Sequence, residues 1–501
     1  MRAWAWACAV AWSPVSHPTA TPQQAAPNRV KRYLQRHEFL RHVLTLMSGT
    51  ALAQVVIFAT TPLLTRMLPP ATWGAYTAVF MAASGLVVPV AALRYDMAIV
   101  LPRSDDEARR LFRVTTLVNT VLSVMVVAAM AWLGMDLATW LLHLNPKDQV
   151  QPTDVGPWMP LVGLIVWSYA QVNIVNYWSN RRKRYAVTST NTMINSCTTA
   201  GGRLLAAWAG TGVVGLVAAT VVGQFAALTN FFARSHRDVL ARPTSGRPTR
   251  ELLRAYSRMP LLNAPNALVD AIRISGIPLL LAHYFGSGVT GAFNMAWTLV
   301  QTPMNLINAA LSQVFFQKLS VTPRGQMLRT IRMSIVRSGL VGIIPFALIW
   351  LLGPWFMPIF LGQDWGHAGV VAAILVPWLF VNFVTSPIST VFVAARRQGL
   401  ALVFAALYMA VPLWIIVTTH QDLDHTLRLV SWSMGLLLLV YLLLATWVAK
   451  AYDDGYGAEH DHKQRGDMAD DLRVESAEDC VEAARTDGGE SDGGPSKPAS
   501  S

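Results

Sequence analysis

Asp270 and Arg273 stand three residues apart in the stretch NAPNALVDAIRISGIPLLLAHYFG, residues 263 to 286, which is otherwise apolar and long enough to cross a bilayer. Full charges at membrane depth are costly, and where they persist they pair with one another or face a polar pathway. The three-residue step puts both on one helix face, where guanidinium and carboxylate can meet. Asn263 and Asn266 share that face, and other apolar stretches carry similar stripes. One reads Thr188, Asn191, Asn195 and Thr199, with Arg203 following; another reads Asn294, Gln301, Asn305, Asn308 and Ser312. A third, Thr50, Gln54, Thr61 and Thr65, lies in the first apolar run, and Arg94 and Asp96 lie in ALRYDMAIVLP. A surplus of arginine over central carboxylate suits phosphate, whose oxygens the planar guanidinium fork takes two at a time. The chemistry on offer is binding of a polar anion, with Arg94, Asn191, Asn195, Arg203, Asn263, Asn266, Asp270, Arg273 and Asn305 as candidate substrate contacts. Asp270 is also the candidate ion-coupling group: Arg273 favours its ionised form and desolvation its neutral form, which leaves its state open. Plainer readings stand beside these. Any single Thr or Asn can serve as a hydrogen bond between helices, Asp270 and Arg273 can be a structural ion pair, and Arg94 and Asp96 can mark the water interface.

The elements that must position these residues are membrane helices. The 501-residue chain is 53% hydrophobic and 14% charged, well short of the roughly 25% charge of soluble domains. Twelve apolar runs have spanning length: 43–65, 74–95, 112–134, 158–178, 186–208, 213–233, 260–283, 289–312, 333–352, 368–392, 399–419 and 427–449. Basic residues fill alternate loops, among them RRKR at 181 to 184 and seven arginines from Arg234 to Arg258, whereas the intervening loops hold almost none. The positive-inside rule then places both termini in the cytoplasm. The expected fold is an all-α integral membrane protein of about twelve transmembrane helices. Its parts are an N-terminal extension over 1–40, expected to be disordered, six helices over 41–240, a basic cytoplasmic loop over 241–259, six helices over 260–450 and an acidic disordered cytoplasmic tail over 451–501. Pro260, Pro265 and Pro278 in the seventh run predict a bent helix that takes part in gating.

Several classes are set aside. The formal charge of +12 comes from short loops between apolar runs, not from a nucleic-acid-binding face. The three cysteines, Cys8, Cys197 and Cys480, have neither disulfide nor zinc spacing, and the histidines have no metal spacing. No G-x-x-x-x-G-K-[ST] loop is present, so the chain carries no ATP motor of that kind. No cofactor, metal or enzymatic centre is expected. A membrane glycosyltransferase or polymerase would need catalytic residues in large outer loops, which here are short apart from 135–157.

Certain stretches carry a resemblance. LTLMSGTALAQ at 44 to 54, LLTRMLPPATWGAY at 63 to 76, LRYDMAIVLPRSDDEA at 93 to 108, NAPNALVDAI, AALSQVFFQ at 309 to 317, FLGQDWGHAG at 360 to 369 and SPISTVFVAARRQG at 386 to 399 resemble Wzx-type oligosaccharide flippases. These form the polysaccharide-biosynthesis branch of the multidrug/oligosaccharidyl-lipid/polysaccharide (MOP) exporter superfamily. The resemblance covers roughly residues 40 to 450. It implies two six-helix lobes of MATE-like architecture alternating between inward-open and outward-open states in a bacterial inner membrane. It implies as cargo an undecaprenyl-pyrophosphate-linked oligosaccharide destined for O-antigen or exopolysaccharide, and as neighbours membrane lipids, glycosyltransferases and a polymerase. Arg94, Asp270 and Arg273 are the positions carried over. The competing reading within the superfamily is a drug or cation antiporter, which the arginine surplus disfavours.

Overall fold

A computed structural model describes residues 49–142, 150–244, 246–257, 259–320, 326–394 and 398–453. The expectations for 1–40 and for the tail beyond 453 lie outside these. Among the described residues there is no β-strand, and twelve helices have at least nineteen residues. In chain order they are α1 Gly49–Met67, α2 Pro70–Ala91, α3 Asp105–Leu142, α4 Leu161–Arg181, α5 Tyr185–Trp208, α6 Gly212–Leu240, α7 Met259–Phe285, α8 Ser287–Ser320, α9 Met327–Leu361, α10 Gln363–Ile388, α11 Gln398–Thr418 and α12 Leu423–Asp453. Each apolar run of the sequence falls on one of them. By length and hydropathy, eight of the helices can cross a membrane, and α4 makes a ninth when joined across a 53° bend to Pro152–Trp158. α5 and α8 carry polar stripes and are less apolar than these, and the apolar part of α11 is the shorter Val403–Thr418.

Within α1–α6 the main pairings are α5 with α6, α3 with α4 and α2 with α4; within α7–α12 they are α9 with α10, α10 with α12 and α7 with α11. The groups meet chiefly through α2 against α7 and α8. In lipid, helices gain little from excluding water and depend on close approach of small residues. Gly74 of α2 and Gly291 of α8 show this: a Cβ on Gly74 would lie 1.6 Å from the Ser287 carbonyl oxygen, and one on Gly291 2.0 Å from that of Pro70. Gly85 and Ser275 repeat the contact between α2 and α7.

Four hydrogen bonds join the two groups among the described residues: Arg66 Nη2 to Ile359 O at 3.4 Å, Trp365 Nε1 to Thr65 O at 2.8 Å, Asn294 Nδ2 to Thr77 Oγ1 at 3.1 Å, and His283 with Trp140 O at 2.6 Å. All four cluster at the end where α1 stops and α2 starts. The molecule is thus fastened at one end, which the basic loops of the sequence assign to the outer side.

Two backbone departures matter. α2 passes through a π-helical segment, Tyr76–Ala82, before resuming as an α-helix; such bulges are rare and often mark functional positions. α7 opens with a π-helical turn, Met259–Asn263, and then runs unbroken as an α-helix from Ala264 through Pro278 to Phe285. The irregularity in this helix therefore sits next to Pro260 and Pro265, not at Pro278.

Candidate functional site

The inner half of α7 is exposed on two opposite sides. At 3.6 residues per turn, Asn266 and Asp270 face one way with Asn263 and Arg273, while Leu261, Pro265 and Leu268 face the other. Ala264, Ala267 and Ala271 are buried between them. The apolar exposed side suits lipid; the polar one needs water or a polar ligand. Arg273 Nη2 lies 3.7 Å from Asp270 Oδ1, with the side chains 18% and 33% exposed respectively. That is an ion pair without a hydrogen bond, so both groups keep free valences for a third partner. The Arg273 guanidinium also stands over the Tyr408 ring of α11, 5.0 Å from its centroid. Tyr408 is fixed in turn by its hydroxyl, which accepts a 2.6 Å hydrogen bond from Trp378 Nε1 of α10. The aromatic face therefore holds a cation whose donors remain available. Asn263 is turned back on its own helix, donating to the Met259 sulfur at 3.1 Å. Asn305 lies on α8, and its side chain falls outside what the structure describes.

Arg203 has a different setting. Its Nη2 donates to the Tyr76 hydroxyl at 2.7 Å and to Thr220 Oγ1 at 3.2 Å, and its guanidinium lies over the rings of Trp73 and Tyr76 at 5.3 and 5.2 Å. Tyr76 belongs to the π-helical segment of α2, which supplies its hydroxyl to α5 and α6. Among the described residues no carboxylate comes within ion-pair distance of Arg203, so aromatic faces and hydroxyls compensate its charge.

The α5 stripe is used within the first group of helices. Asn191 is 3% exposed and accepts a hydrogen bond from Asn230 Nδ2 of α6. Asn195 accepts from Thr199, and both lie so close to Gly223 of α6 that no side chain would fit there. Asn191 thus ties α5 to α6, and Asn195 is bonded within α5 where that helix meets Gly223 of α6. The α1 stripe resolves similarly: the Thr61 and Thr65 hydroxyls donate to the carbonyls of Ile57 and Thr61.

At the inner end, Leu93 and Arg94 have φ of 47° and 58°. Two successive non-glycine residues in the left-handed region are strained and need surrounding structure to hold them. They turn the chain from α2 into the short helix Tyr95–Ala98. This turn buries Asp96 beside Arg94, leaving Asp96 Oδ1 and Arg94 Nε without hydrogen-bond partners among the described residues. Burial pushes the Asp96 carboxyl up to about 6, against the opposing pull of the Arg94 guanidinium. Tyr95 fastens the turn to the inter-group loop by donating to Leu253 O at 3.3 Å.

The sequence reading missed Trp73, Tyr76 and Tyr408. Their aromatic side chains look like ordinary lipid-facing or core residues, and only the tertiary fold shows them under guanidinium groups.

The architecture has known counterparts. A structure of the lipid II flippase MurJ in an inward closed conformation superposes with a TM-score of 0.67 at 11% identity, covering 81% of this chain and 89% of that one. An inward-facing multidrug resistance MATE family transporter of the MOP superfamily gives 0.65 at 16% identity, covering 82% and 95%. A MOP superfamily transporter from Pyrococcus furiosus, described as having a binding pocket of reversed polarity, gives 0.56 at 15% identity, covering 83% and 95%. No curated protein matches the chain in sequence. The family model described as polysaccharide biosynthesis protein matches residues 63–369, and with more than half of its length inside that model and the fold of MOP superfamily transporters around it, the chain belongs to the polysaccharide biosynthesis protein family.

Proposed function

We propose that this membrane transporter flips a polyprenyl-pyrophosphate-linked oligosaccharide from the cytoplasmic to the outer leaflet of a bacterial inner membrane, by alternating access and for surface polysaccharide assembly. The observation that carries this reading is α7, where a polar face bearing Asn266, Asp270 and Arg273 stands opposite an exposed apolar face. A lipid-linked sugar needs that combination: a polar site for its head and a lipid contact for its tail on one element. Arg273 holds the pyrophosphate through the donors that Tyr408 and Asp270 leave free, and Arg94 meets the head at the inner mouth. Arg203 contributes positive potential from within the first helix group, and Asn266 faces the sugar hydroxyls.

The four hydrogen bonds hold the outer end together in this conformation. Release outward requires them to break. A membrane potential negative inside favours outward movement of an anion by about 2.3 kcal/mol per charge per 100 mV, so the substrate's own charge supplies a driving force. Asp270 offers a second coupling route if it takes up a cation or proton once the head has left. Glycosyltransferases and a polymerase would supply and consume the substrate on the two sides.

The reading is tested by expressing the chain in a host lacking its own flippase and scoring surface polysaccharide, with membrane levels checked by blotting. Wild type restoring export while equally abundant Arg273→Ala and Arg273→Lys fail supports it. Export by both variants at the wild-type level removes Arg273 from the site. A chain that instead lowers cellular accumulation of cationic dyes and never restores export is an antiporter of the MATE kind.

A further inference from the structure

A cavity lies away from the groups discussed so far. It measures about 710 Å³ and opens between the start of α9 and the end of α12, at the side of the molecule that the basic loops assign to the cytoplasm. Leu328, Met333 and Val336 give it apolar walls, and Arg329, Arg332, Lys450 and Asp453 are its charged groups. Asp453 is committed elsewhere: its carboxylate accepts the backbone N–H groups of Met327 at 3.1 Å and Leu328 at 2.9 Å, tying the end of α12 to the first turn of α9. Arg329, Arg332 and Lys450 are exposed and form no hydrogen bond or ion pair among the described residues. Three cations without an ion pair among the described residues, and one carboxylate, therefore line one cavity.

A second observation is the course of α9. Arg329, Arg332, Met333 and Val336 follow one another at helical spacing, and the same stripe continues through Leu340 and Ile343. Val336, Leu340 and Ile343 are 59%, 65% and 56% exposed. The stripe then enters an apolar groove of about 230 Å³ against α10, lined by Ile343, Ala347, Pro377 and Phe380 among others. From Arg332 to Ile343 the rise is about 16 Å at 1.5 Å per residue, close to the depth of one leaflet's hydrocarbon, half of about 30 Å. A cationic basin thus leads directly into an apolar track one leaflet deep.

We propose that this basin and track form a binding site for an anionic phospholipid of the cytoplasmic leaflet. The headgroup phosphate sits among Arg329, Arg332 and Lys450, and an acyl chain lies along α9 toward the groove at Phe380. Basic pockets between helices at the cytoplasmic face attract anionic headgroups, and two guanidinium forks with one ammonium satisfy phosphate oxygens from several directions. A soluble phosphate would use the basin alone and leave the track unexplained. The bound lipid would bridge α9 and α12, which the protein otherwise links at this end through Asp453.

The test is native mass spectrometry of the purified full-length chain in a neutral detergent, titrated with phosphatidylglycerol or phosphatidylcholine. The expected result is preferential retention of one phosphatidylglycerol, undiminished by inorganic phosphate or pyrophosphate. Each surface base contributes on the order of fivefold. The variant with Arg329→Gln, Arg332→Gln and Lys450→Gln should therefore need on the order of a hundredfold more phosphatidylglycerol for the same occupancy. If that variant does not fold, Arg329→Gln and Lys450→Gln singly carry the test, at about fivefold each. Equal retention of phosphatidylcholine, or unchanged retention of phosphatidylglycerol by folded variants, overturns the proposal. Displacement by pyrophosphate overturns it as well, because the basin would then be a site for a soluble anion. None of these outcomes depends on whether the chain flips a saccharide.

Discussion

Gly74→Ala is the most direct way to disturb the fastened end. The new Cβ would stand 1.6 Å from the Ser287 carbonyl oxygen and 2.7 Å from the Gly291 amide nitrogen, both backbone atoms that no rotamer change can move. Carbon–oxygen contacts settle near 3.3 Å, so α2 and α8 must part by about 1.7 Å. The Thr77–Asn294 hydrogen bond, now 3.1 Å, would stretch to about 4.8 Å and be lost. Overpacking costs about 1–3 kcal/mol, and the lost bond adds about 0.5–1.5 kcal/mol. Both penalties fall on the fastened conformation alone, since α2 and α8 are apart once that end opens. A total of about 3 kcal/mol shifts the ratio of the two states by roughly a hundredfold at 1.4 kcal/mol per decade. The readout is Ser275→Cys, buried at the contact of α2 with α7, in a chain whose Cys8, Cys197 and Cys480 are serine. Intact cells are exposed to a membrane-impermeant maleimide. Labelling should be slow with Gly74 in place and at least tenfold faster with Gly74→Ala. Equal labelling rates in two equally abundant proteins would refute the claim that this helix contact is what shuts the outer end.

Three further outcomes are expected. Arg273→Gln removes an ion pair and a cation–π contact that are partly solvated, together worth about 1–2 kcal/mol; export should collapse while the melting temperature in detergent moves by only a few degrees, and a variant that unfolds instead would make the pair structural. Arg203→Gln loses two hydrogen bonds and two aromatic faces, so its stability should fall by about 2–4 kcal/mol, with Tyr76→Phe falling by about 1 kcal/mol; thermal unfolding that leaves both variants at wild-type stability would contradict this. Asp96, with its carboxyl raised from 3.8 to about 6 by burial, binds its proton more tightly folded than unfolded. Its contribution is therefore complete below about pH 4 and lost as pH rises through about 6, on the order of 3 kcal/mol in all and a little under half of that between pH 5 and 7. Melting temperature should drop across that interval in wild type and lose this component in Asp96→Asn; identical pH profiles would show that the burial does not perturb the carboxyl.

Position along the chain was easier to read than the use each side chain is put to. The apolar runs located every long helix because spanning length and hydropathy are local properties of sequence. The pair at Asp270 and Arg273 was legible for the same reason, since a three-residue step on a helix fixes proximity without tertiary information. The stripe at Asn191 and Asn195 was legible only as a stripe, because periodicity tells which residues share a face but not what the face meets: here it meets Asn230 and the side-chain-free surface of Gly223. Arg203 carries the same lesson. Its charge suggested a phosphate ligand, whereas Tyr76, Trp73 and Thr220 occupy the guanidinium, and the π-helical segment that delivers Tyr76 has no signature in YTAVFMA. The strain at Leu93 and Arg94 was hidden too, since neither residue type favours the left-handed region.

Movement of a diphosphate-linked saccharide between leaflets is the activity proposed for this chain. Its most direct test uses sealed vesicles holding the purified protein and a fluorescent polyprenyl-pyrophosphate saccharide, with a membrane-impermeant reductant bleaching whatever reaches the outer leaflet. Bleaching beyond the initial outer-leaflet fraction is expected with wild type, and none beyond it with Arg273→Gln or with no protein. Bleaching that stays at the initial fraction with folded wild type under an imposed potential would contradict it, as would equal movement of a neutral polyprenyl lipid lacking the diphosphate.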